Sequence, residues 1–276
     1  MIIDAHHHLW DLKKRNYSWM SPDLKAIHRN FLPDDLAKTV EPYRVRGTVL
    51  VQAHQSVEET RWMLGLAEGS KLILGVVGWV DLKDPQIGKT LAELKVFPKL
   101  KGVRHIIQDE PDAGWMLQSD VMRGLRAVHE AGLAYDLLIK PHQFEAALNL
   151  VDHLPAMPII LDHIAKPYIK DGKREPWATH IRQMAQYQHV YCKVSGLITE
   201  ADHQKWKTGD FAFYLKHVVE VFGWERLCFG SDWPVCLLAG NYGQVFHLPE
   251  EILKAGASGK EWMQFMGENA RRFYRL

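Results

Sequence analysis

Two histidines two residues apart, His6 and His8 in IIDAHHHLW, and an aspartate far along the chain, Asp232 in FGSDWP, are of the types that hold a divalent cation. In an extended strand, residues i and i+2 point the same way. Both imidazoles therefore share a face, with His7 turned outward. A histidine pair joined by a carboxylate is a metal-ligand set, provided the fold brings the two ends of the chain together. Other apolar runs end in polar groups too: Gln52 and His54, Trp79, Arg104 and His105, Asp162 and His163, Lys193 and Ser195, then Ser231 and Asp232. Taken singly, His54, His105 or Ser195 reads equally well as a solvated strand end or a satisfied core group.

The elements that must position these residues alternate. Strand-like runs rich in Val, Ile and Leu cover Ile2–His8, Gly47–His54, Leu72–Leu82, Leu100–Ile107, Leu133–Lys140, Met157–Ile164, Val190–Gly196 and Arg226–Trp233. Several are nearly continuous in apolar residues, which marks strands covered on both faces, as in a parallel sheet. Between them, Ser56–Gly69 opens with a capping box of Ser56 and Glu59, and Asp120–Gly132 has an acidic start and a terminal glycine. Gln143–Leu154, Trp177–Gln188, Phe211–Gly223 and Lys260–Arg275 follow the same helical logic.

Alternation of this kind demands a parallel sheet with right-handed crossovers. An open nucleotide-binding sheet would show a glycine-rich turn after the first strand, where this chain has AHHHLW. Eight strand–helix units over residues 1–276, with no linker or repeat to divide them, predict a single-domain α/β fold, the (β/α)8 TIM barrel. Such barrels carry their sites at the C-terminal ends of the strands, and strands one and eight are neighbours. The loop 16–30 follows strand one and lies over the mouth, where Tyr17 and Trp19 form either a lid or surface packing.

Composition narrows the partners. With 34 Lys+Arg against 33 Asp+Glu, the net charge is +1, which gives no basic field for nucleic acid or an anionic membrane. Surface scaling for a chain of this size gives about 12,000 Å² folded against about 46,000 Å² unfolded, enough for a large core without staples. Cys192, Cys228 and Cys236 are odd in number and form no CxxC, which suits a reducing compartment and predicts a cytoplasmic protein. The start shows no apolar signal-peptide core, and no run approaches membrane-spanning length. Association into a homo-oligomer is common among barrels and stays open.

Asp4, His6 and His8 on the first strand, His163 in LDHIAKP after the sixth and Asp232 after the eighth resemble the pattern of the amidohydrolase superfamily. IDAHHHLW, GVRHIIQDEPD, LDHIAKP, VYCKVSGL and FGSDWPV resemble more narrowly its sugar-lactonase branch, the fuconolactonase and rhamnonolactonase-like enzymes related to dicarboxylate lactonases. The resemblance covers the whole chain. It implies a (β/α)8 fold and hydrolysis of a cyclic ester.

The chain departs from the better-known superfamily pattern. KGVRHII offers no strand-four lysine for a carbamate bridge, and AYDLLIKP lacks a strand-five histidine. The resemblance therefore implies at most one divalent metal, zinc by its ligand types, on His6, His8 and Asp232 with His163 as a further ligand; a version in which the metal is dispensable stays open.

Ester hydrolysis needs a base for water and positive charge for the oxyanion. Asp232 is the expected base, with His163 as a second catalytic residue. Arg104, His105, Lys193 and Gln52 are candidates for recognising the lactone's oxygens, and Trp10, Trp79 and Trp233 are candidate platforms for a sugar ring. Lys140 reads equally well as a solvated strand end. A dicarboxylate lactone calls for a denser cationic cluster than Arg104 and Lys193 provide. A metal-dependent decarboxylase of the same superfamily and a non-catalytic binding barrel are the competing readings.

Overall fold

Runs of apolar residues with little room for solvent on either face pair in parallel along the chain. The computed structural model describes all 276 residues. Eight strands follow in order: β1 Ile2–His7, β2 Val45–Val51, β3 Ile73–Gly78, β4 Leu100–His105, β5 Ala134–Leu137, β6 Ile159–Leu161, β7 Val190–Val194 and β8 Leu227–Phe229. Each pairs in parallel with the next. The helices are α1 Pro33–Val40, α2 Val57–Glu68, α3 Ile87–Leu94, α4 Ser119–Glu130, α5 Phe144–His153, α6 Trp177–Met184, α7 Thr208–Phe222, α8 Tyr242–Leu253, α9 Gly259–Met263 and α10 Asn269–Tyr274. This is the expected (β/α)8 barrel. None of its helices is long and apolar enough to cross a membrane.

The seam between β1 and β8 closes beyond the end of β8. His8 N–H donates to the Trp233 carbonyl at 2.7 Å, and Asp232 N–H donates to the His6 carbonyl at 2.8 Å. Asp232 is thus part of the closure itself. The expected eighth strand, Arg226–Trp233, stops at Phe229 because the chain turns there to make this seam.

Two apolar layers follow from strands buried on both faces. The larger lies between strands and helices; a smaller one inside the barrel joins Ile3, Ala5, Val49, Val51 and Val77 to Ala270, Phe273 and Tyr274 of α10. The expected continuous helix Lys260–Arg275 is broken into α9, a π turn over Gln264–Glu268, and α10. Gly267 in that turn passes so close to β1 that a Cβ would lie 2.1 Å from the Met1 carbonyl oxygen.

The capping box expected at Ser56 and Glu59 forms only by half. Ser56 Oγ accepts from Glu59 N–H at 3.1 Å, but the Glu59 carboxylate turns inward and accepts from Ala53 and His54 N–H at 3.0 and 2.7 Å. α1, α3 and α8 lie outside the six helices read from sequence. In α8 an internal proline, Pro249, interrupts the local signal.

Candidate active site

The end of β1 is held by Asp4, whose Oδ1 accepts from His6 N–H at 3.1 Å and Ser231 N–H at 2.8 Å, and whose Oδ2 accepts from the Tyr242 hydroxyl at 3.1 Å. One buried carboxylate therefore fixes β1 to the segment that carries Asp232. His8 Nδ1 donates to the Val51 carbonyl at 2.8 Å. A carbonyl only accepts, so the proton sits on Nδ1 and the Nε2 lone pair is free.

That lone pair faces a compact set of donors. His8 Nε2 lies 3.2 Å from His6 Nε2 and 3.3 Å from Asp232 Oδ1, with 3.7 Å between His6 Nε2 and Asp232 Oδ1. Tetrahedral zinc with bonds of about 2.0–2.1 Å spaces its donors by about 3.3 Å. His6, His8 and Asp232 fit that requirement. His163 falls instead into a second, overlapping set with His6 and Asp162, so the four expected ligands do not converge as one group.

A layer of buried charge lies around His6. Asp162 Oδ1 faces His6 Nδ1 at 3.4 Å, and Lys193 Nζ is 3.2 Å from the same nitrogen. Lys193 also pairs with Asp136 and, at 3.0 Å, with Asp162; the Tyr274 hydroxyl donates to Asp136. Arg104 Nη1 donates to Asp162 Oδ2 at 3.1 Å and approaches His6 Nε2 at 3.3 Å. Its Nη2 donates to the Gln52 carbonyl at 2.6 Å and to Gln52 Oε1 at 3.0 Å.

These surroundings set the protonation states. Burial holds His6 well below the usual histidine range, against the pull of Asp162, and takes His163 down to about 4. Burial alone would raise Asp232, but His163, His8 and His6 outweigh it and hold the carboxyl well below its ordinary range. Asp162 is likewise kept down: Lys193, His6 and Arg104 overcome the effect of burial. At neutral pH His6 and His163 are neutral imidazoles beside the ionised carboxylates of Asp162 and Asp232.

His163 stands on an unusual turn. Residues His163, Ile164, Ala165 and Lys166 all have positive φ, between 47° and 58°, so β6 ends at Leu161 instead of running on to Ile164 as expected. His163 Nδ1 hydrogen-bonds Ser195 Oγ at 2.9 Å.

An open-mouthed cavity of about 550 Å³, the solvent at its mouth included, meets these groups. His8, Arg104, His163 and Asp232 line it, as do Trp19 and Lys166, beside an apolar patch that includes Ile106, Leu138 and Val235. Trp19 donates its indole N–H to the Ala53 carbonyl at 2.8 Å and lines the cavity, whereas Tyr17 is buried away from it. Of the two expected lid residues, only Trp19 reaches the cavity.

Other sequence candidates lie elsewhere. Lys193 and Gln52 are fully buried beneath the wall, committed to Asp136, Asp162 and Arg104, so neither is placed to touch a ligand. Trp10 donates to the Arg29 carbonyl at 2.7 Å within the core, and Trp233 packs edge-on against Phe31. His105 accepts from Trp79 Nε1 at 3.2 Å, pairs with Glu110 at 2.7 Å and stacks on Trp115. These side chains brace the loop after β4 instead of forming sugar platforms. Lys140 matches its solvated reading: it reaches only Asp109, at 3.4 Å, on the surface. His7 bonds Thr48 Oγ1 at 3.0 Å, turned away from the cavity but into packing instead of solvent.

The chain belongs to the amidohydrolase family, whose model matches residues 3–276. It is 34% identical to an L-fucono-1,5-lactonase of Burkholderia multivorans over 99% of this chain and 96% of that one. A second L-fucono-1,5-lactonase, of Burkholderia ambifaria, is 35% identical over 99% of this chain and 95% of its own length. Among solved structures, an amidohydrolase of Burkholderia multivorans with bound zinc superposes with a TM-score of 0.96 at 34% identity, covering 100% of this chain and 99% of the other.

Proposed function

We propose that this protein hydrolyses a small sugar lactone, an aldonolactone of the L-fucono or L-rhamnono kind, to its sugar acid. The observation that carries the reading is an ionised carboxylate, Asp232, sharing one cavity wall with His8, His163 and the Arg104 guanidinium, in a chain a third identical to L-fucono-1,5-lactonases.

Asp232 takes a proton from a water next to it as the water oxygen adds to the lactone carbonyl. Charge that develops on the carbonyl oxygen is met by the positive wall at Arg104. When the ring C–O bond breaks, the leaving alkoxide takes up the proton held at Asp232, with neutral His163 beside it as the second proton carrier. His6, His8 and Asp232 would hold one divalent ion, zinc by the nitrogen and carboxylate donors; when bound it polarises the carbonyl and acidifies water.

A neutral polyol fits better than a dicarboxylate. Arg104, one of two cations on the wall, is already committed to Asp162 and Gln52, which leaves no cluster for two further carboxylates. All three cysteines are buried and free, which supports a cytoplasmic location.

A proton-release assay over aldono-1,4- and aldono-1,5-lactones, with and without chelator, tests the reading. Turnover of at least one aldono-1,5-lactone is expected. Silence across the panel overturns it.

A further inference from the structure

Four successive non-glycine residues in the left-handed region are costly, and a β-branched one among them most of all. The turn His163–Lys166 is nevertheless held firmly. Ile164 and Ala165 are fully buried, the Ile164 carbonyl accepts from Trp177 Nε1 at 2.7 Å, and Lys166 N–H closes onto the His163 carbonyl at 2.8 Å. Gly196 leaves the space that the His163 ring occupies: a Cβ there would lie 2.5 Å from Nδ1. Strain that the surroundings maintain so thoroughly points to a use.

The use is visible in what the turn presents. In a continued strand, residues 163 and 166 would face opposite sides. In the left-handed turn, His163 and Lys166 both line the cavity. Lys166 Nζ has one anionic partner, Glu200 Oε1 at 3.0 Å, and Glu200 itself stands off the cavity wall. An ammonium has three donors. Arg104, the other cation of the wall, has both terminal nitrogens engaged and its Nε sealed in without a partner, so Lys166, whose side chain is partly exposed, is the cation there with donors that a ligand can reach.

We infer that Lys166 is a specificity-determining residue that donates hydrogen bonds to the ring hydroxyls of the lactone, with Glu200 positioning its Nζ. The inference rests on the lactonase reading for its substrate class and on the turn for its geometry. Losing one charge-assisted hydrogen bond weakens recognition by about 10- to 100-fold.

The test compares a polyhydroxylated aldono-1,5-lactone with δ-valerolactone, which lacks ring hydroxyls, in wild type, Lys166→Asn and Lys166→Arg. Asparagine tolerates the left-handed conformation. Preference for the hydroxylated lactone, as a ratio of kcat/KM, is expected to fall about 10- to 100-fold in Lys166→Asn, chiefly through KM, and to recover in part in Lys166→Arg. An unchanged ratio overturns the inference, because a merely structural role depresses both substrates alike. Calorimetric binding of the corresponding 1,5-lactam, an uncharged ring with the same hydroxyls, provides an arm that needs no turnover: at least about tenfold weaker binding by Lys166→Asn is expected. Equal binding, or none by wild type, counts against Lys166. A wild type silent on every lactone but binding the lactam through Lys166 would sink the lactonase reading alone. Should Lys166→Asn lose its near-UV circular dichroism, Lys166→Met takes its place in both arms.

Discussion

His8 Nε2 and Asp232 Oδ1 lie 3.3 Å apart, joining the first strand to the segment that seals the barrel after the last. The contact is built by backbone bonds on both sides of the seam and by the bond from His8 Nδ1 to Val51. With His6 Nε2 at 3.2 Å from His8, the set has room for one ion, and protein purified without chelator is predicted to carry about one per chain. Elemental analysis checks this: His8→Gln should lose most of the metal, and two ions per chain would contradict the geometry.

Lys193 is predicted to be a stability residue first. Its ammonium is fully buried between Asp136 and Asp162, and Lys193→Met leaves Asp136 without a cation, held only by the Tyr274 hydroxyl, while Asp162 keeps Arg104. Breaking a buried pair in this way costs about 3–5 kcal/mol. Urea unfolding of Lys193→Met, and of Lys193→Met with Asp136→Asn, should show the double variant less destabilised than the single one. A loss under about 1 kcal/mol in the single variant would refute the pairing.

Gly196→Ala should separate positioning from folding. Gly196 has φ of 60°, and the new methyl would meet His163 Nδ1 at 2.5 Å, so the ring must move off Ser195. The left-handed backbone adds about 1–2 kcal/mol of strain. Lactone turnover should fall at least about tenfold while a cooperative thermal transition persists. Full activity would show that His163 has latitude.

Glu59 makes a pH prediction. Burial raises its carboxyl to about 7, against the lowering effect of the His54 and Ala53 amides, while the unfolded chain titrates near 4.5. Between those values the folded state holds a proton that the unfolded state has released. Stability therefore falls as pH rises through this window, by on the order of 3 kcal/mol, and is flat above it. Glu59→Gln keeps the amide acceptor and removes the titration. The difference in unfolding free energy between wild type and Glu59→Gln should move in that direction from pH 4.5 to 7; a constant difference would contradict it.

The parts of this molecule that period and order encode were readable in advance. Continuous apolar runs such as TVLVQA and PIILDHI announced strands covered on both faces, and eight of them placed His6 and His8 beside Asp232. Depth along a strand is not written in period. Lys193 and Gln52 are fully buried and off the cavity wall, where Asp136 of β5 and Asp162 after β6 take up Lys193 and Arg104 of β4 takes up Gln52. Trp10, Trp79 and Trp233 neighbour the motifs in sequence, but their side chains turn into the packing. Lys166 went unread because His163–Lys166 contains neither glycine nor asparagine to signal a left-handed turn; only the tertiary clamp from Trp177 and Gly196 makes it possible. Asp162 was visible in LDH, but its partners, Lys193 on the neighbouring β7 and Arg104 two strands away on β4, are set by register between strands and not by local sequence.

The most direct measurement is the steady-state rate of Asp232→Asn on whichever aldono-1,5-lactone the wild type opens. Asparagine nearly preserves the shape but cannot accept the water's proton, so kcat should drop by about 10²–10⁴-fold with folding intact. Turnover by Asp232→Asn within a few-fold of wild type would contradict the assignment of the base.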